Sequence, residues 1–439
     1  TIIDPFGLGG NTILFGVSDP EGLEKGLKRF KVILDDLTQP KLPWLSESKM
    51  SLDALKSLMS SGYDTGTTTE KVDQLISKLD PDNTGEAASN SIVALMNRIV
   101  QYGQLYQLTC NDTYGRVYRY ALKAYANFLN NNPSTALAQL SSIRNMWTTG
   151  YPFIASYNVM EASPLFDETD RKQIVSAFYL TYEANSHDPY LNTAPATGAR
   201  YNHDIFPALS VMFGSSYFNR YYDLPETKGW YDMGERIFKG NTSNINLDEG
   251  SDYLMHVPTV TLEYALATGD HRFLVKGLRP SADLYVMMID NLGTMSGGGD
   301  VYPFGRSSAY SWDHSQVLNA ASWIFNDPSY RIMLERAKMG PFDGQKMPDL
   351  DFPFHRYLAD ESAGSEITGE HPMVQAYPVE KGVYDDLFKD DPGQVLDVAI
   401  ENAFHKLAFR KGYDNEDSYL MLDGFSAGRH GHMDGNTII

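Results

Sequence analysis

Residues 114–129 read YGRVYRYALKAYANFL, with apolar and aromatic side chains returning at three- and four-residue intervals. That spacing is the mark of an amphipathic helix with one buried face. The pattern recurs upstream over residues 21–37, 52–61, 69–79 and 91–106. It continues downstream over 133–147, 168–183, 204–221, 227–238, 253–267, 271–291, 311–325 and 328–338. Several of these segments begin cleanly: Ser51-Leu-Asp and Asn132-Pro133-Ser134 put a capping residue or a proline on the first turn. So many helices in succession, with little strand character between them, predict an all-α superstructure. Either an open solenoid or a closed ring of helix pairs would satisfy it. No signature repeats at a fixed period, which favours the ring, an α/α toroid.

The character changes near residue 340. Residues 341–371 are rich in Pro, Asp and Gly and predict a linker. Beyond them, alternating runs occupy 373–379, 395–400, 405–410 and 418–422. The stretch HKLAFRKGYDNEDSYLMLDG (405–424) predicts two strands joined by a polar turn at 412–417. The expected fold class is therefore mainly α: an incomplete (α/α) toroid over 1–340, the linker, and the start of an antiparallel β-sheet domain over 372–439. The abrupt apolar end predicts that this domain continues past the last residue.

The 439 residues are 42% hydrophobic and 21% charged, an ordinary soluble composition. The net charge of −20 opposes binding to nucleic acid and to acidic membranes, and neither is an expected partner. A local basic cleft can still coexist with an acidic body. No apolar run approaches the roughly 20 residues of a membrane span. No basic segment leads into an apolar one as in a secretory leader, so the chain reads as mature or trimmed. Cys110 is the sole cysteine, so no internal disulfide can form.

Three polar clusters stand out. The first, Ala199-Arg200-Tyr201-Asn202-His203-Asp204, precedes an apolar helix; a simple helix cap is the plain alternative. The second runs from Leu247 through Asp248, Glu249, Gly250, Ser251 and Asp252 to Tyr253 and on to His256. It too would serve as a capped helix start. The third is Ser426-Ala-Gly-Arg429-His430-Gly-His432-Met-Asp434-Gly-Asn436. Its glycines offer no core, and two histidines at i and i+2 of an extended segment face the same side. A glycine-rich loop over 295–306 is weaker and lacks the marks of a phosphate loop.

Taken together, Asn-His in a helical body, then Glu249-Gly-x-x-Tyr253, then His430-Gly-His-x-Asp-x-Asn436 at the opening of a β-domain resemble the heparinase II/III-like and oligoalginate-lyase-like polysaccharide lyases. The likeness spans most of the chain in layout, and the final histidine cluster is its most specific piece. It implies Asn202 and His203 at a substrate carboxylate, Tyr253 as the catalytic tyrosine and His430 as a second catalytic histidine. Arg200, Arg306 and Arg429 become candidate substrate binders, and His432 a candidate ligand of a structural zinc. Pro303-Phe-Gly305 looks like the family's Pro-x-Gly-Asp-Ser loop, with Arg306 where an acid is usual. The implied partner is an anionic polysaccharide or oligosaccharide, and the implied location is secreted or periplasmic.

Lysis of a uronate removes the C5 proton and expels the oxygen at C4. Negative charge develops on the carboxylate and must be met by donors placed there, which an asparagine amide, a histidine N–H or an arginine supply. A base takes the proton and an acid serves the leaving oxygen. A tyrosine phenol, with an ordinary pKa of ~10, suits the acid role, and histidine suits the base. The 28 tyrosines would also offer rings for sugar stacking, although helix packing absorbs most of them. A glycoside hydrolase using paired carboxylates such as Asp248, Glu249, Asp252, Asp300 or Asp313, a uronate C5-epimerase, and a non-catalytic carbohydrate-binding protein remain alternatives.

Overall fold

A computed structural model of the chain describes residues 13, 15–17, 20–37, 47–48, 68–83, 86–140, 150–194, 199, 202–240, 253–293, 312–339, 373–378, 400–402, 404–423 and 437–438. Its helices are α1 (Pro20–Asp35), α2 (Thr69–Ile76), α3 (Glu86–Thr109), α4 (Asp112–Asn131), α5 (Pro133–Leu140), α6 (Gly150–Asn158) and α7 (Glu168–Ser186). They continue as α8 (Pro189–Thr193), α9 (Asn202–Tyr221), α10 (Pro225–Gly240), α11 (Tyr253–Thr268), α12 (Arg272–Lys276), α13 (Leu278–Met288), α14 (Trp312–Phe325) and α15 (Pro328–Met339). The strands β1 (Val374–Pro378), β2 (Phe404–Arg410), β3 (Tyr419–Asp423) and β4 (Thr437–Ile438) follow. The chain is thus mainly α, with helices in succession and an antiparallel sheet after them, the class expected from its sequence. No helix among the described residues is long and apolar enough to cross a membrane.

The stretch at 114–129 forms the middle of α4. Asn111 caps that helix, its side chain accepting the Thr113 N–H at 2.9 Å. Tyr114, Val117, Tyr118, Ala121, Leu122, Tyr125 and Leu129 form its buried stripe.

The chain divides into two compact units. The first comprises residues 1–55, 65–185 and 213–227. Its core is a run of aromatic edges and faces: Tyr125, Phe153, Phe178, Tyr157, Phe166 and Tyr118 follow one another at centroid spacings of 4.9–5.9 Å. Such pairs add about 0.5–1.5 kcal/mol each to the burial of their rings.

The second unit comprises residues 56–64, 186–212 and 228–439. Its core joins Leu262, Tyr285, Val317, Leu318, Tyr330 and Met333 from the helices to Ala408 and Met421 from the sheet. The strand order is β1-β2-β3-β4, all antiparallel, with Val374 opposite Phe409, Phe409 opposite Leu420 and Leu422 opposite Ile438. The inward face of β2 carries Lys406, Ala408 and Arg410, while Phe409 and Leu420 face outward, more than a third exposed. Arg410 explains the inversion. Its guanidinium donates to the Val286 carbonyl at 3.0 Å, to the Ile289 carbonyl and to the Asn291 side-chain oxygen. The rings of Tyr413 and Tyr419 flank it at 4.8 and 4.3 Å. A cation thus closes the negative end of α13, where helical carbonyls lack partners. Asn291 in turn donates to the carbonyls of Gly412 and Asp417, both at 3.1 Å, and so holds the β2–β3 turn.

Some boundaries differ from those read in the sequence. Residues 271–291 form two helices rather than one. The break falls at Gly277, which ends α12 by donating to the Phe273 carbonyl at 2.8 Å, and Pro280 then sits in the first turn of α13. Ile400 opens a short 3-10 turn rather than ending a strand. The expected helix at 52–61 and the linker at 341–371 lie outside the described residues.

Candidate functional site

The Asn202-His203 pair belongs to the first turn of α9, not to a loop ahead of it. Asn202 is 1% exposed, and its side-chain oxygen accepts the His203 backbone N–H at 2.8 Å. An N–H can be accepted only by the oxygen of an amide, so this bond fixes which way the Asn202 side chain faces. Its Nδ2 is left buried, with no hydrogen-bond acceptor among the described residues. Leaving such a donor unsatisfied costs about 1–3 kcal/mol, so an acceptor supplied by a ligand is its natural complement. The site also lies at a helix N-terminus, where unpaired N–H groups and the helix dipole favour negative charge. Pro207, four residues beyond His203, has no N–H to return to the His203 carbonyl.

The His203 ring lies against Tyr190, centroids 4.8 Å apart and planes inclined at 49°. Tyr190 is carried on α8, a short helix fixed at both ends. Asp188 caps its start, accepting the N–H groups of Tyr190 and Leu191 at 2.8 and 2.9 Å, with Pro189 at the first position. Arg236 of α10 binds its far end, donating to the carbonyls of Leu191 and Ala194 at 2.6 and 2.7 Å. The shelf beneath His203 is thus bonded at both ends.

Asp188 is fully buried, and its second oxygen has no hydrogen-bond partner among the described residues. Burial pushes its carboxyl up to about 6, the two N–H bonds pull it down, and the nearby Asp204 charge adds to the rise. The folded protein therefore holds this proton more tightly than the unfolded chain, whose aspartates titrate near ~3.9. The contribution favours the fold below about pH 4 and is lost as pH rises through about 6. Asp188→Asn keeps an accepting oxygen for the cap and removes the charge. It is expected to gain about 2 kcal/mol over wild type between pH 4.5 and pH 8. Denaturant unfolding at the two pH values checks this; identical pH dependence in the two proteins would count against the assignment.

Tyr253 is the first residue of α11. One turn later, the ring of His256 meets Phe206 of α9 edge to face at 5.4 Å. Phe206 stands one turn beyond Asn202, so the first turns of α9 and α11 are neighbours. Both helices also carry a proline in the second turn, Pro207 and Pro258.

No family model matches the chain, and no curated protein matches it. Among solved structures it is similar to a mutant of the heparan sulfate lyase HepC from Pedobacter heparinus. Identity is 11% and the TM-score 0.46, over 100% of this chain and 56% of that one. The chain thus spans little more than half the length of that enzyme. A likeness at this level transfers no chemistry to the chain.

Of the residues singled out in the sequence, the structure places Asn202 and His203 in one helical turn and Tyr253 at the head of a neighbouring helix. The Tyr253 side chain, His430, Arg200, Arg306, Arg429 and His432 lie outside the described residues. Among the described residues, no group of three or more His, Cys, Asp or Glu could hold a metal ion. Sequence reasoning missed Asp188 and Tyr190 and gave His256 no role. The Asp188-Pro189 pair is a helix-start signal in its own right, and His256 follows Tyr253 at helical spacing.

Proposed function

We propose that the chain is a polysaccharide lyase, cleaving uronic-acid-containing anionic polysaccharide of alginate, glucuronan, ulvan or glycosaminoglycan type by β-elimination. The observation that carries this reading is the buried, unaccepted Nδ2 of Asn202 at the start of α9. A buried amide donor beside a histidine at a helix N-terminus fits a carboxylate on which charge is about to grow. Asn202 and His203 receive the uronate carboxylate, with Arg200, Arg306 and Arg429 as further carboxylate binders. Tyr253 protonates the oxygen leaving C4. It also removes the C5 proton when that proton and the leaving group lie on one face; His203 or His430 does so when they lie on opposite faces. The product carries a C4–C5 double bond conjugated to its carboxylate.

His432 is assigned to a structural zinc, and no step of the elimination is routed through it. A secreted or periplasmic location belongs to the same reading, since a polysaccharide of this size does not enter the cytoplasm intact.

Asp188 offers a rival reading as the general acid of a hydrolase, since its carboxyl titrates high. Its capping bonds to α8 already give it a structural purpose. The test is an absorbance screen of the purified chain against alginate, glucuronan, ulvan, heparan sulfate, chondroitin and hyaluronan. At least one substrate is expected to yield ultraviolet-absorbing ends. Cleavage without new absorbance would establish hydrolysis, and deuterium exchange at C5 without cleavage an epimerase.

A further inference from the structure

The first unit holds a groove of about 850 Å3 along the exposed side of α4, within the range of ligand-binding clefts. Arg116, Arg119 and Lys123 line it at i, i+3 and i+7, alongside Tyr120, Asn127 and Phe128. No acidic side chain is among its described lining residues, although the Tyr120 hydroxyl donates to the Asp73 carboxylate at 2.5 Å. Among the described residues Arg116 donates only to the neutral Thr113 hydroxyl, at 3.2 Å. Arg119 and Lys123 share one fully buried carboxylate, Asp170, at 2.5 and 2.6 Å. Arg119 also reaches Asp167 at 3.0 Å. These bonds engage Nε and Nη2 of Arg119 and leave Nη1 without a partner among the described residues.

We propose that this groove is a second, non-catalytic site that binds acidic oligosaccharide along α4. Naming a saccharide as the occupant rests on the lyase reading; the preference for an anion does not. Guanidinium groups bind carboxylate and sulfate through paired hydrogen bonds. Aromatic side chains such as Tyr120 and Phe128 present flat apolar faces to sugar rings, and an amide such as Asn127 can both donate to and accept from hydroxyls. Arg116 and the Nη1 of Arg119 stand one helical turn apart and carry the donors that no carboxylate holds among the described residues. A body of charge −20 repels a polyanion at long range, and a local basic groove is what would retain one.

The test is hydrogen–deuterium exchange on the full chain bearing Tyr253→Phe, so that no sugar is consumed. The probes are hexasaccharides of mannuronate, of glucuronate and of heparan sulfate, each beside its carboxyl-reduced, desulfated counterpart. At least one acidic hexasaccharide is expected to slow exchange across residues 112–131. Adding Arg116→Glu, a change at an exposed position, should weaken that protection about tenfold in sugar concentration. The single variant Arg116→Glu should turn over short oligosaccharides at the wild-type rate. No protection of α4 by any acidic hexasaccharide would overturn the proposal. So would equal protection by the neutral counterparts or by inorganic sulfate alone. A lyase that fails the absorbance screen while α4 is protected would lose its catalytic reading and keep this site.

Discussion

Tyr253→Phe is expected to lower the rate of ultraviolet-detected cleavage by about 10²–10⁴-fold, the usual worth of a positioned proton donor or acceptor. The substitution removes one hydroxyl and keeps the ring at the head of α11, so melting behaviour and sugar affinity should change little. The loss should fall on kcat rather than KM, since the phenol acts on an oxygen whose charge grows only in the transition state. Solvent deuterium then separates the two stereochemical cases. If a histidine is the base, C5 exchange persists in the variant although the bond at C4 no longer breaks. If Tyr253 takes the proton as well, exchange stops too. A variant cleaving near the wild-type rate would remove Tyr253 from the mechanism.

The second large effect concerns stability. Arg410→Met should destabilise the second unit by several kcal/mol, at about 1–3 kcal/mol for each buried acceptor left without its donor. Methionine fills much of the same space, yet it offers no donors to the carbonyls at the end of α13 or to the Asn291 oxygen. Tyr419 would keep its own bond to the Met287 carbonyl at 2.8 Å, so the helix end would be only partly stranded. Arg410→Lys should fall between the two, keeping the charge without the fork that reaches several acceptors. Exchange protection of β2 and β3, read beside denaturant midpoints, tests this; a midpoint within about 0.5 kcal/mol of wild type, as for an ordinary surface change, would refute it.

Helices with a clear stripe were legible from spacing alone, and α4 is the plainest case. Where the stripe is masked, so is the signal. α6 buries Gly150, Phe153, Ile154 and Tyr157 along one face, but its sequence GYPFIASYN is apolar or aromatic at every position from 151 to 155, which masks the helical period. The start of α9 was placed two residues late because its first turn is polar, and the helix was timed from its apolar residues. That small error matters, since it moves Asn202 from a loop into a helix whose N-terminus can act on an anion. The inward face of β2 was hidden for a different reason. Alternation predicts a buried apolar face, but Arg410 is drawn inward by carbonyls far away in sequence, which no local pattern reveals. The shelf under His203 was hidden likewise, because Asp188 and Arg236 make it by meeting the same short helix from opposite ends.

The bonds from Arg410 and from the β2–β3 turn reach back 119–126 residues to the end of α13. During synthesis, at about 5–20 residues per second, that helix end waits on the order of 6–25 s for the segment that closes it. Throughout that interval the Asn291 side chain and the carbonyls of Val286 and Ile289 lack their final partners. The second unit therefore completes itself from its C-terminal side, and a ribosome stalled short of β2 would hold a helical body with one open end.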